Sequence, residues 1–150
     1  MMVKTTLGWP TVLLLHERAD KTSHVDWMIA PDPGGGEPLV TFRVASRVDG
    51  LAGGARLVAH RIDDHRPEYL VYEGPLSGDR GTVRRLARGM VVSWDRGEDV
   101  WRIEIDWPDP AGGLRRQSLR LSRQTPGGDA WVIEVAVLSR NLRERPRGGG

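Results

Sequence analysis

The sequence predicts a mainly β protein: a small closed or nearly closed antiparallel β-barrel with short helical pieces. Three observations predict it. The apolar runs are short, and glycine and proline break them about every ten residues, the punctuation of a sandwich or barrel. Several runs alternate: in Trp101-Arg102-Ile103-Glu104-Ile105-Asp106-Trp107 the four apolar side chains share one face. No stretch of helix length repeats its apolar residues with a helical period.

The elements follow in order. Thr11 to Leu15 is β-branched and leucine-rich. The polar stretch after it, Glu17 to Ser23, has room for one helical turn over Glu17 to Thr22. His24 to Ile29 is the second strand. Pro31 to Pro38 holds three prolines and three glycines and reads as a loop. Leu39 to Ala45 alternates through Val40, Phe42 and Val44, and Asp49 to Gly54 is a turn. Arg56 to Ile62 and Tyr69 to Tyr72 are apolar runs on either side of the charged corner Asp63-Asp64-His65-Arg66-Pro67. Glu73 to Gly81 carries turn residues. Thr82 to Leu86, Met90 to Trp94, Val100 to Trp107, Leu114 to Leu121 and Ala130 to Leu138 complete the strands. Residues 1–140 are expected to form one barrel domain, and residues 141–150, rich in arginine and glycine, a flexible tail.

Composition narrows the classes. At 150 residues a single domain with a real core is the default. The chain has no cysteine, which excludes a disulfide framework, a thiolate site and a zinc knuckle, and suits a reducing cytoplasm. Leu7 to Leu15 is interrupted by Pro10 and ends at His16, too short and broken for a signal core or a membrane span. A soluble cytoplasmic protein is expected, with no membrane partner and as a monomer. The net charge of +2 is too small to argue for nucleic acid alone. Lys4 and Lys21 are the only lysines; every other base is an arginine, the side chain that matches phosphate bidentately. The abundance of glycine and proline beside arginine also fits a simple compositional bias.

The chemistry centres on His24-Val25-Asp26-Trp27-Met28-Ile29. On a strand, Val25, Trp27 and Ile29 face a core, while His24, Asp26 and Met28 share the opposite face. His16 ends the preceding run, and His65 lies in the charged corner. His60 shares a face with Val58 and Ile62, an apolar setting that predicts a structural histidine. Two histidines and a carboxylate with open positions make a versatile metal site. A metal there acts as a Lewis acid on a phosphoryl oxygen or supplies a bound hydroxide.

The motifs form a longer pattern. His16, Ser23-His24-Val25-Asp26-Trp27, Arg61-Ile62-Asp63-Asp64-His65-Arg66-Pro67-Glu68-Tyr69, Tyr72-Glu73-Gly74-Pro75 and Gly78-Asp79-Arg80-Gly81-Thr82-Val83 occur in that order. The pattern resembles the 3′-phosphoesterase module of bacterial DNA ligase D. The likeness runs from about His16 to Val83, with thinner support over Ser118 to Val135. The resemblance implies a small β-barrel that binds Mn²⁺, or another divalent metal, and trims the 3′ end of a primer. It removes a terminal ribonucleoside and then the remaining 3′-phosphate, in DNA repair. By the same resemblance His16, Asp26 and His65 match the metal ligands. His24 matches a histidine on the scissile phosphate, and Tyr69 the active-site tyrosine. Arg61, Arg80, Arg84 and Arg85 are expected to frame the site for phosphate. The implied partner is a DNA or DNA/RNA primer 3′ end, with ligase or polymerase repair proteins acting in trans on a stand-alone relative.

The chain departs from the family pattern in three places. Met28 stands where the family has an arginine, which removes charge-assisted contacts to phosphate worth about 1.5–3 kcal/mol each. His16 and His24 are eight residues apart, more than in the family. The glycine-rich turn after Glu73-Gly74 is shorter. Two alternatives follow: a nucleic-acid-binding barrel that has lost catalysis, and a non-haem iron oxygenase using His24-x-Asp26 and a distal histidine.

Overall fold

Alternation along the strands decides which residues meet inside. The computed structural model describes residues 8–137. Among them strands account for 57% and helical turns for 5%. The strands are β1 Trp9–Glu17, β2 Ser23–Ile29, β3 Leu39–Val44, β4 Arg56–His65, β5 Gly74–Pro75, β6 Thr82–Arg96, β7 Val100–Pro108, β8 Leu114–Arg123 and β9 Ala130–Val135. All pairings are antiparallel, in the order β1-β2-β3-β4-β9-β8-β7-β6, and β1 pairs with β6 to close an eight-stranded barrel. The short β5 adds to the edge of β6. The expected barrel is therefore present. The expected tail, residues 141–150, lies outside the described residues. No helix among the described residues is long and apolar enough to cross a membrane.

The inward faces build the main core. Val25, Trp27 and Ile29 of β2 meet Val40 and Phe42 of β3, Trp101, Ile103, Ile105 and Trp107 of β7, and Trp131 and Ile133 of β9. Two of the fully buried indoles find side-chain acceptors. Trp27 Nε1 donates to Thr11 Oγ1 at 2.9 Å, and Trp107 Nε1 to Gln117 Oε1 at 2.9 Å.

Four local features differ from the sequence reading. Thr82 to Leu86 and Met90 to Trp94 are one bent strand, β6, whose first half pairs with β1 and whose second half pairs with β7. The bend brings Gly89 against β7, where a Cβ would lie 2.6 Å from the Trp107 ring. Tyr69 to Tyr72 is not a strand: Pro67–Leu70 forms a 3-10 turn with proline opening it, the position where a missing N–H matters least. Glu17 to Thr22 is not a helical turn: Glu17 ends β1 and residues 18–22 form the β1–β2 hairpin connection. His60 also differs in setting. Its face points outward, with Val58 54% exposed and His60 itself exposed, while Ala59 is buried. The apolar run does not enclose it, because inward Ala59 carries the packing.

A second apolar cluster lies outside the barrel wall. Val12 and Leu14 of β1, Met28 of β2 with Ala30 just after it, Leu39 of β3 and Val83 of β6 pack with Leu70. Leu70 comes from the connection between β4 and β6, which thus roofs the outer face of β1 and β2. Arginines tie the roof down. Arg85 Nη1 and Arg88 Nη1 donate to the Leu70 carbonyl at 3.5 and 3.3 Å, and the Glu73 carboxylate accepts the Arg85 backbone N–H at 2.7 Å.

Candidate metal centre

The β1–β2 hairpin explains why His16 and His24 meet. Its register sets His16 directly opposite His24, and Leu14 opposite Asp26. Facing side chains of an antiparallel pair are neighbours, and Asp26 follows His24 on the same face. His16 Nδ1 lies 3.3 Å from His24 Nε2. His24 Nε2 lies 3.2 Å from Asp26 Oδ1. One ligand atom from each of the three residues falls within 4.8 Å of the others.

The hydrogen bonds favour a ligand role. His16 Nε2 is 2.7 Å from the Arg80 carbonyl oxygen. A carbonyl only accepts, so Nε2 carries the proton and Nδ1 of the neutral ring keeps its lone pair, turned to His24. A ligating histidine commonly donates its other N–H in this way. Asp26 is 3% exposed, and its Oδ1 has no hydrogen-bond partner. The close His24 nitrogen is not aligned to donate to it. Arg43 Nε, 3.9 Å away, has no hydrogen bond either. A buried carboxylate needs a compensating charge. A cation shared by Asp26 Oδ1 and the two imidazoles would supply one. The 3.2–3.3 Å spacings suit donor atoms around one ion with bonds of about 2.1 Å. Burial, first of all, holds the His24 imidazolium below its ordinary pKa. The charges of Arg43, His16 and Arg18 push the same way, and the Asp26 carboxylate opposes them. A neutral His24 is the form that ligates metal.

A cavity of about 340 Å³ opens beside this trio, lined by His16, Asp26, Met28, His65, Tyr69 and Arg80 among others. His65 therefore reaches the same cavity as His16 and Asp26 but is not one of the three converging residues. Register gives the reason. Across β3 the Asp26 row continues through Arg43 to His60, while His65 pairs with Leu39 beyond a bulge. His65 Nδ1 is 2.8 Å from the Asp63 carbonyl, which places its proton there and leaves Nε2 as the acceptor. The Tyr69 ring stands edge-on to His65, with centroids 5.8 Å apart. Met28, 1% exposed, fills the wall of the cavity from the roof cluster.

The four arginines expected to frame the site part company. Arg80 lines the cavity, and its guanidinium is oriented by the Ser77 carbonyl and hydroxyl. Arg85 holds the roof. Arg84 is exposed on β6, opposite Leu15, and does not line the cavity. Arg61 stacks over Trp101 at 5.4 Å and pairs with Asp64 at 3.4 Å. Arg66 lines the cavity without having been singled out from the sequence. Its only signal was its place next to His65.

A larger cavity of about 710 Å³ lies on the outer wall of β6 to β9. It gathers Arg102, Glu104, Arg120 and Glu134 but no imidazole, and Arg120 already pairs with Glu134 at 3.3 Å. The chemistry-bearing residues are in the smaller one. Compared with models of known protein families and with curated proteins, the chain matches none.

Proposed function

We propose that the protein is a divalent-metal phosphoesterase that processes the 3′ end of a nucleic-acid strand, with Mn²⁺ as its ion. The observation that carries this reading is the convergence of His16 Nδ1, His24 Nε2 and the unpartnered Asp26 Oδ1 beside a cavity lined by His16 and Asp26 together with His65, Tyr69 and Arg80. The ordered likeness of these segments to the ligase D module supports it. A bound divalent ion would polarise a phosphoryl oxygen. The chain supplies the rest. Arg80 and Arg66 bring positive charge to the cavity for phosphate oxygens. The Tyr69 hydroxyl is a donor, and His65, with its proton fixed on Nδ1, has Nε2 free to take up a proton or, once protonated, to give one to a leaving oxygen.

The test is turnover of a primer carrying a 3′-phosphate or a 3′-ribonucleotide, with and without Mn²⁺. Activity should need the metal and vanish in Asp26→Asn. Absence of turnover in a metal-loaded protein would refute the reading. One observation favours a second reading, a nucleic-acid-binding barrel without catalysis. Met28 is packed in the roof cluster and offers the cavity no donor at the position where the ligase D pattern has arginine.

A further inference from the structure

The metal cavity does not end at the roof. A second cavity, about 290 Å³, continues from it and shares Arg66, Tyr69, Leu76 and Arg80 as walls. Its far side is Tyr72. This residue is 38% exposed and takes no part in the apolar clusters. It is nevertheless fixed. The Tyr72 hydroxyl donates to the Pro75 carbonyl, and its ring meets the edge of Tyr69 with centroids 6.2 Å apart and planes at 81°. Gly74 makes this possible: its φ is +137°, and a Cβ there would lie 3.1 Å from the Tyr72 hydroxyl. An exposed aromatic ring, locked by its own hydroxyl, loses little conformational freedom when a flat ligand stacks on it.

We propose that Tyr72 is the stacking platform of a nucleobase subsite, which receives the base next to the phosphate held at the metal centre. This deepens the phosphoesterase reading and rests on it for the nature of the ligand. Two further features fit a nucleotide. Arg66 and Arg80 stand in the walls between the two cavities, where a strand passing from one to the other carries its phosphates. Arg80 is oriented by Ser77 through Nε and Nη2, so its guanidinium is presented in a set direction. The pocket offers a ring face, two arginines and the exposed Glu68 carboxylate, which pairs with Arg66 at 3.3 Å and would give up that exposed pair to a phosphate. It has no convergent set of base-edge partners, so it is expected to accept any base.

The subsite is tested on the metal-free protein, so that it does not depend on turnover. Fluorescence anisotropy is measured with a labelled single-stranded oligodeoxynucleotide and with an abasic strand of the same length. The wild type should hold the base-bearing strand about tenfold more tightly. Tyr72→Ala should erase that preference, and Tyr72→Phe should retain most of it, since the ring remains. Arg66→Gln should weaken both strands alike and lower the salt slope by about one. Equal binding of the two strands by the wild type would overturn the proposal without recourse to any variant. So would an unchanged preference in a folded Tyr72→Ala. If the preference is present but metal-loaded protein has no turnover, the base subsite stands and the phosphoesterase reading falls.

Discussion

The His16 imidazole donates Nε2–H to the backbone carbonyl of Arg80 across 2.7 Å, and so turns its Nδ1 toward His24. The two residues are far apart in sequence and are brought together by the closure of β1 on β6. Gly81 makes the approach possible: its φ is +95°, and a Cβ there would lie 2.0 Å from the Glu17 carbonyl oxygen. Gly81→Ala must therefore push the turn off the end of β1 and withdraw the Arg80 carbonyl. Loss of such an outer partner typically weakens metal binding about 10–100-fold. Isothermal titration with Mn²⁺ should show that loss; unchanged affinity would mean that the carbonyl does not orient His16.

Met28 gives a second prediction, because it serves two places. It lines the metal cavity and is buried against Leu14, Leu39, Leu70 and Val83. Met28→Arg would bring a donor to phosphate but force a charge into the roof cluster, at a cost of about 2–3 kcal/mol. Met28→Leu should cost less than about 1.5 kcal/mol. Urea unfolding should rank them so. On the phosphoesterase reading the arginine variant also turns over a 3′-phosphate primer faster than the wild type. A Met28→Arg protein as stable as the wild type would show that the roof does not close over this position.

The roof itself can be loosened. Leu70 is 6% exposed and is the roof's buried contribution from the 3-10 turn. Leu70→Ala should destabilise the fold by about 2 kcal/mol, at the low end for a buried leucine because the cluster lies outside the barrel. Hydrogen exchange should rise across residues 67–81 well before it rises in β7 or β8. Uniform loss of protection would indicate that the roof and barrel unfold as one unit.

His24 sets a pH dependence whose sign can be worked out. Burial lowers its pKa in the folded protein below the ordinary 6.5. Between the two values the unfolded chain binds more protons, so stability rises with pH across that interval. The metal-free protein should lose stability as pH falls from about 6.5 through the folded value, and this contribution should level off below it. His24→Gln should flatten that limb in unfolding experiments at pH 5 and pH 7. An equal acid limb in the variant would assign the effect to other groups.

Much of this was legible from residues alone, for physical reasons. The clean alternation of Trp101 to Trp107 and of Val25 to Ile29 marked inward faces that the barrel keeps. His24-x-Asp26 on one face follows from strand geometry, and both residues stand where alternation puts them. The third member was harder. His16 and His24 face each other through hairpin register, which depends on a turn that includes Lys21 at φ +75°, a conformation that composition does not announce. His65 is displaced along β4 by a bulge that is likewise silent in sequence. Tyr69 to Tyr72 has strand-like composition, yet Pro67 and the apolar surface of Met28 and Val83 draw it into a turn over the site. Arg61, Arg80, Arg84 and Arg85 read as a phosphate frame; of these Arg80 lines the cavity, while Arg85 instead bonds the Leu70 carbonyl.

The central claim is that His16, His24 and Asp26 hold one divalent ion from a single hairpin face. Mn²⁺ binding by purified wild type, His24→Ala and His65→Ala, followed by equilibrium dialysis, tests it most directly. The account predicts one ion per chain in the wild type, retention in His65→Ala, and loss in His24→Ala. A wild type that binds no ion, or a His65→Ala protein that loses the ion while His24→Ala keeps it, would contradict the account.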